Sequence, residues 1–132
     1  MRKYLDTSAL LKRVVIEPDS AALRQYLGAS QARGDLLASS SLAWVEVWRA
    51  LRRLEVPDID EVGELTMSGV AEFEMTETTM RLARRLGPQH LRSLDALHLA
   101  CAVQLGVQTV VTYDDRMAEA AAIMGFEVAA PA

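Results

Sequence analysis

Ser93-Leu-Asp-Ala-Leu-His-Leu-Ala-Cys-Ala-Val-Gln-Leu-Gly106-Val-Gln-Thr-Val-Val-Thr-Tyr-Asp114 is the stretch whose reading decides the fold. From Leu94 to Leu105 nearly every residue is apolar, which predicts a helix buried on most sides and not along a single stripe. Gly106 stops it, and Gln108 to Thr112 is a β-branched strand. Asp114 opens an alanine-rich helix to Met124 that Gly125 closes before a last strand, Phe126-Glu-Val128.

The same alternation continues towards the N-terminus. Residues 2–5 form a short strand ending at Asp6-Thr7-Ser8, whose small polar side chains suit the cap of a helix from Ala9 to about Val15. Glu17-Pro18-Asp19-Ser20 breaks that helix and starts another, with Leu23, Tyr26 and Leu27 at helical spacing until Arg33-Gly34. Leu36-Leu37-Ala38 is a buried strand. Ser39-Ser40-Ser41 caps a long helix with Leu42, Val45, Trp48 and Leu51 as its apolar stripe and Arg49, Arg52 and Arg53 off it. Val56-Pro57-Asp58 ends that helix, residues 58–68 predict a short acidic helix, and Val70-Ala-Glu-Phe-Glu74 a weak strand. A further helix starts at Thr76 or Thr78, carries Met80, Leu82, Ala83 and Leu86, and stops at Gly87-Pro88. The order β-α-α-β-α-α-β-α-α-β-α-β implies an α/β fold with a parallel sheet covered on both faces.

At 132 residues and 51% hydrophobic, the chain fits a single domain spanning residues 1–132, large enough to hold a core without metal or disulfide staples. The one cysteine, Cys101, cannot form an internal disulfide, which fits a reducing compartment. No apolar run reaches the ~18 residues of a membrane span, and Tyr4-Leu5-Asp6 follows two basic residues with no signal-peptide core between. A soluble, cytoplasmic protein without membrane attachment is expected. The net charge of −4 argues against broad nucleic-acid binding, unless carboxylates gathered around cations invert the local field.

Ligands of open α/β sheets sit beyond the carboxyl ends of the strands, and that rule picks out Asp6 and Asp114. Asp95 lies in the first turn of the buried helix, where the helix dipole favours ionisation. Glu46 borders the apolar face of the long helix. Each has a simpler reading. Asp6 and Asp114 serve equally well as helix caps, Asp95 as a first-turn acid, and Glu46 by itself is better explained as a solvated residue paired with Arg49 or Arg53. Together, clustered acids demand positive compensation, and no lysine or histidine accompanies them in the sequence. All-oxygen ligation suits Mg²⁺ or Mn²⁺. The nitrogen and sulfur donors are His90, His98 and Cys101, and the last two, on one buried helix without zinc-site spacing, read as core residues.

Tyr4-Leu-Asp-Thr-Ser-Ala-Leu10, Glu46 on a helix after a short strand, Leu94-Asp-Ala-Leu-His-Leu-Ala100 and Val111-Thr-Tyr-Asp-Asp-Arg-Met117 together resemble the PIN-domain family over almost the whole chain, and the bare-domain length resembles its VapC toxins. The resemblance implies a three-layer α/β/α sandwich around a mainly parallel sheet. It implies that Asp6, Glu46, Asp95 and Asp114 are the catalytic acids and hold one or two Mg²⁺ or Mn²⁺ ions, with Ser8 and Thr112 orienting carboxylates or water. Asp115 reads either as a further acid of the site or, preferably, as a helix-start residue facing solvent. The resemblance also implies a ribonuclease toxin cleaving RNA without organic cofactor, a homodimer, and inhibition by a cognate antitoxin. Arg49, Arg52 and Arg53 are candidate RNA or antitoxin contacts, although exposed arginines more often serve only to solvate a helix.

Three other classes remain in view. A receiver-like phospho-acceptor domain needs a lysine after a late strand, and none follows Lys12. A haloacid-dehalogenase-type phosphatase wants an Asp two residues after its nucleophile, where Ser8 stands relative to Asp6. A catalytically silent PIN-fold binding module fits the same fold and is separated from a nuclease by EDTA-sensitive cleavage of RNA.

Overall fold

Tyr4 and Leu5 are neighbours in sequence, yet they belong to different cores, because successive residues of a strand face opposite sides of its sheet. A computed structural model describes residues 1–132. It holds β1 (Arg2–Leu5), α1 (Thr7–Leu11), α2 (Ser20–Ala32), β2 (Leu36–Ser40), α3 (Ser41–Arg53), α4 (Ile59–Thr66), β3 (Ala71–Phe73), α5 (Glu77–Ala83), α6 (Ser93–Leu105), β4 (Thr109–Val111), α7 (Asp115–Ile123) and β5 (Glu127–Ala129). The element order is the one the sequence predicts.

The five strands form one sheet in the order β3-β2-β1-β4-β5, and every pair is parallel. Leu5, Leu37 and Val111 face α1 to α4 and pack with Leu10, Leu23, Leu27, Val47 and Leu51. Tyr4 and Val110 face the other way and pack with Leu99, Cys101 and Ala102 of α6 and Met117, Ala120 and Ala121 of α7. The result is the expected α/β/α sandwich. No helix is long and apolar enough to cross a membrane.

The strand order carries the functional geometry. After β1 the chain adds β2 and β3 on one side of it, then crosses to place β4 and β5 on the other. The gap beyond the carboxyl ends of β1 and β4 is therefore a topological switch point, where loops diverge and leave a crevice. Register pairs Leu5 with Val111, so Asp6 and Thr112 emerge side by side at its rim.

Two helix ends and the buried face of one helix depart from expectation, and β2 runs on to Ser40, so Ser39 and Ser40 belong to the strand and Ser40 makes no side-chain capping bond to α3. The first helix ends at Leu11, not near Val15: Arg13 and Val14 bond back three residues to Leu10 and Leu11, and the β-branched Val14-Val15-Ile16 run disfavours continuation. The helix expected to reach Leu86 ends at Ala83, in a tighter turn where Arg84 bonds to Arg81. On α3 the buried residues are Ala43, Val47, Ala50 and Leu51, and Val45 is 59% exposed. Of the predicted stripe, Leu51 is fully buried, Leu42 and Trp48 are intermediate and only Val45 is exposed; the pattern underweighted Ala43 and Ala50, whose small side chains carry little hydrophobic signal. Trp48 fills the space between α3 and α4, where a Cβ on Gly63 would stand 2.3 Å from its ring.

Candidate active site

Asp6 ends β1 in extended geometry and caps α1, its Oδ1 accepting the Ala9 N–H at 3.0 Å and the Ser8 hydroxyl at 2.6 Å. Its Oδ2 accepts the Thr112 hydroxyl at 2.5 Å. Only 4% exposed, the carboxyl is pushed above its ordinary range by burial, against the opposing pull of Ser8, Thr112 and Ala9. Ser8 and Thr112 each do double duty. Ser8 Oγ accepts the Tyr113 N–H at 2.9 Å and Thr112 Oγ1 accepts the Asp114 N–H at 3.0 Å, so the same hydroxyls that hold Asp6 also hold the loop leading to Asp114.

Asp114 caps α7 through Oδ1, which accepts the Met117 N–H at 2.9 Å. With Glu46 and Asp95 it lines one cleft, whose remaining walls are Arg92, Ser93, Leu94 and Arg116. Asp95 sits in the first turn of α6, where burial and neighbouring negative charge oppose the pull of the helix dipole. Its carboxyl is raised by burial first and then by the negative charges of Asp114 and Asp6, with His98 and Arg116 opposing. Asp6 is buried and does not line this cleft, as the other three acids do; it is tied to it through Thr112, whose hydroxyl holds both Asp6 and the Asp114 N–H.

Glu46 is paired with neither Arg49 nor Arg53. Its Oε1 accepts the Thr7 hydroxyl at 2.7 Å and lies 2.6 Å from Nε2 of His98. Burial drives this carboxyl upward, but the hydrogen bonds from His98 and Thr7 outweigh it and hold the group below its ordinary range. The expectation that no histidine accompanies the acids is thus corrected. His98 is buried, as foreseen, but it is bonded to a site residue 52 positions away. Behind it, Nδ1 lies 2.6 Å from the hydroxyl of Tyr4, which is itself 2.9 Å from Ser40 Oγ.

Asp115 is exposed and makes no hydrogen bond or ion pair through its side chain, in keeping with the solvent-facing reading. Arg49 and Arg53 line a groove with Thr7, Leu11, Val45, Ala50, Glu46 and Leu94, and the last two residues also border the acid cleft. Arg52 is exposed and lines neither. Sequence reasoning missed Thr7, His98, Arg92 and Arg116. Thr7 sits next to Asp6, and Arg92 directly precedes the helix of Asp95, so proximity to the acids was the available signal for both.

As the side chains stand, no three of the chain's His, Cys, Asp and Glu residues gather tightly enough to enclose an ion. Mg²⁺ and Mn²⁺ do not require such a cage, since Mg²⁺ keeps several waters and is held through one or two carboxylates plus substrate oxygens. The donor set fits them. Both nitrogens of His98 are occupied by Glu46 and Tyr4, and burial pushes the Cys101 thiol up to about 11, so neither is free as a soft-metal ligand.

A model of the PIN domain matches residues 3–123. The chain belongs to the PIN-domain family. Within it, similarity runs to VapC ribonucleases of Mycobacterium tuberculosis: 42% identity to Ribonuclease VapC46 and 38% to Ribonuclease VapC47, each over 130 residues covering 97% of this chain and 96% of the relative. Among solved structures, a chain of the Rickettsia felis VapBC2 complex bound to a fragment of its promoter DNA matches with TM-score 0.76 at 14% identity over 98% of both chains. VapC20 of Mycobacterium tuberculosis, a sarcin-ricin loop cleaving toxin, matches with TM-score 0.70 at 17% identity over 94% of this chain and 95% of its own. At such identities the structural likeness speaks for the fold alone.

Proposed function

We propose that this chain is a ribonuclease toxin that hydrolyses RNA phosphodiester bonds with Mg²⁺ or Mn²⁺ and is held in check by a cognate antitoxin. The observation that carries the reading is the convergence of Glu46, Asp95 and Asp114 on one cleft at the sheet's switch point, with the buried Asp6 joined to it through Thr112 and arginines at its edges. The Asp95 carboxyl is raised by burial first and by Asp114 and Asp6 after it, and both costs of a negative charge there are the kind a divalent cation offsets.

In this reading Asp95, Asp114 and the free Oε2 of Glu46 hold the ions, Asp6 adds its charge from its buried position, and Ser8 and Thr112 keep Asp6 and the Asp114 loop in register. When bound, the cation supplies charge neutralisation at the phosphate and an acidified water. Arg92 and Arg116 flank the cleft where a phosphate backbone would pass, and Arg49 and Arg53 extend that track along α3.

The names of the relatives support the activity, and the toxin–antitoxin complexes among the fold neighbours support a proteinaceous inhibitor. A homodimer is part of the same proposal. Incubating the purified chain with RNA in Mg²⁺, Mn²⁺ and EDTA tests the activity. Cleavage that EDTA abolishes is expected, and RNA left intact in all three refutes it. Light scattering at micromolar concentration tests the dimer, which a monomer refutes, and pulldown from cells tests the inhibitor, which the absence of any small protein partner refutes.

A further inference from the structure

Glu46 is the one acid of the quartet carried in the middle of a helix, on a side chain with three rotatable bonds and no backbone N–H to fix it. Two side chains supply what the backbone does not, and both bind the same oxygen. Thr7 Oγ1 donates to Oε1 at 2.7 Å and His98 Nε2 meets Oε1 at 2.6 Å, while Oε2 has no partner in the chain. The imidazole is itself wedged: Nδ1 is 2.6 Å from the Tyr4 hydroxyl, the Tyr4 ring meets it edge-on at 72°, and Ser40 bonds the far side of that hydroxyl. Tyr4 and Ser40 are fully buried and His98 is 3% exposed, so the row cannot be swapped for water.

We propose that His98 is a positioning residue whose Nε2–H, together with the Thr7 hydroxyl, clamps Oε1 of Glu46 and thereby presents Oε2 to the cation in the cleft. Whichever way the Tyr4 and Ser40 hydroxyl hydrogens point, an ionised carboxylate at Oε1 takes its hydrogen from Nε2, so the role depends on one ring nitrogen and not on the charge of the ring. A leucine would fill the same space among the apolar residues of α6. What leucine lacks is the two-ended polar link, which runs from a largely buried carboxylate at the cleft into the centre of the sheet. Hydrogen bonds made by neighbours of a metal ligand set its orientation, and losing them typically costs about 10–100-fold in metal affinity.

The inference rests on the cation-dependent reading, and its test separates the two. Mn²⁺ is titrated into wild type, His98→Leu, His98→Gln and Tyr4→Phe, with free Mn²⁺ read by electron paramagnetic resonance and folding checked by thermal melts. In parallel, nitrogen-15 imidazole spectra of wild type and Glu46→Ala are recorded. The clamp requires a slowly exchanging Nε2–H signal in wild type that vanishes in Glu46→Ala. It also requires Mn²⁺ affinity about tenfold weaker in His98→Leu, restored in large part in His98→Gln, whose amide reaches the position of Nε2. A signal unaffected by Glu46→Ala, or a folded His98→Leu that binds Mn²⁺ like wild type, overturns the inference. Wild type that shows the clamp signal but takes up no Mn²⁺ refutes the cation reading, and with it the role given to Oε2.

Discussion

Thr112 Oγ1 donates its hydrogen to Asp6 Oδ2 at 2.5 Å across the β1–β4 pair, and Thr112 Oγ1 in turn accepts the backbone N–H of Asp114 at 3.0 Å. Thr112→Val keeps the shape and removes both bonds, leaving a buried carboxylate oxygen and a loop N–H without partners. A loss of about 1–3 kcal/mol at neutral pH is expected from urea unfolding. The pH dependence has a definite sign. The Asp6 carboxyl already lies above its unfolded value, and removing a donor raises it further, so the variant loses stability as pH rises through that range. The gap from wild type should therefore narrow in acid, where Asp6 is protonated in both, and a gap that widens in acid would contradict the assignment.

Asp95→Asn should abolish Mg²⁺- or Mn²⁺-dependent RNA cleavage while leaving the metal-free protein at least as heat-stable as wild type. Its carboxyl is raised by burial, Asp114 and Asp6, which means that its charge opposes folding when no cation is present. Melts in EDTA and in Mn²⁺ read this directly, since a cation that binds the folded state should raise the wild-type midpoint more than the variant's. A purely structural first-turn acid gives the opposite result, a variant less stable by about 0.3–1 kcal/mol with no response to metal.

Arg49 and Arg53, on the groove that continues from the acid cleft, are expected to contact the phosphate backbone. Replacing both with alanine should raise KM for RNA with kcat nearly unchanged, and should flatten the dependence of log affinity on log salt by about 1.4, at about 0.7 per phosphate on a single strand. An unchanged salt slope would remove these arginines from the RNA path.

Gly63→Ala should be costly for a reason unrelated to helix propensity, which favours alanine. The new methyl would stand 2.3 Å from the Trp48 ring, so α4 must move away from α3 or the indole must leave its hydrogen bond to Asp60. Destabilisation of about 1–3 kcal/mol and a shift in tryptophan emission are expected.

The order of strands and helices was legible because its signals are local: a cap at Thr76, a left-handed glycine at Gly106, a β-branched run at Thr109–Val111. Asp6 and Asp114 were legible for the same reason, since strand ends can be located without knowing their neighbours. The rotation of α3 was not, because Ala43 and Ala50 carry no strong hydrophobic signal and only the sheet they pack on shows which face is inside. His98 was hidden more deeply. The one charged residue within a turn of it is Asp95, and neither of the groups it bonds to, Glu46 and Tyr4, is on its own helix.

The central place of β1 also governs when the site can exist. Its pairing with β4 joins Lys3 to Thr109, and the bond from Thr112 to Asp6 closes a loop of 106 residues, among the slowest kinds of contact for a chain to make. During synthesis β1 can meet β2 early, but the other wall of the crevice is translated near the end. A nascent chain still lacking β4 holds Asp6, Glu46 and Asp95 without the frame that brings Asp114 to them, so the complete acidic quartet is withheld until the last strands have left the ribosome and docked.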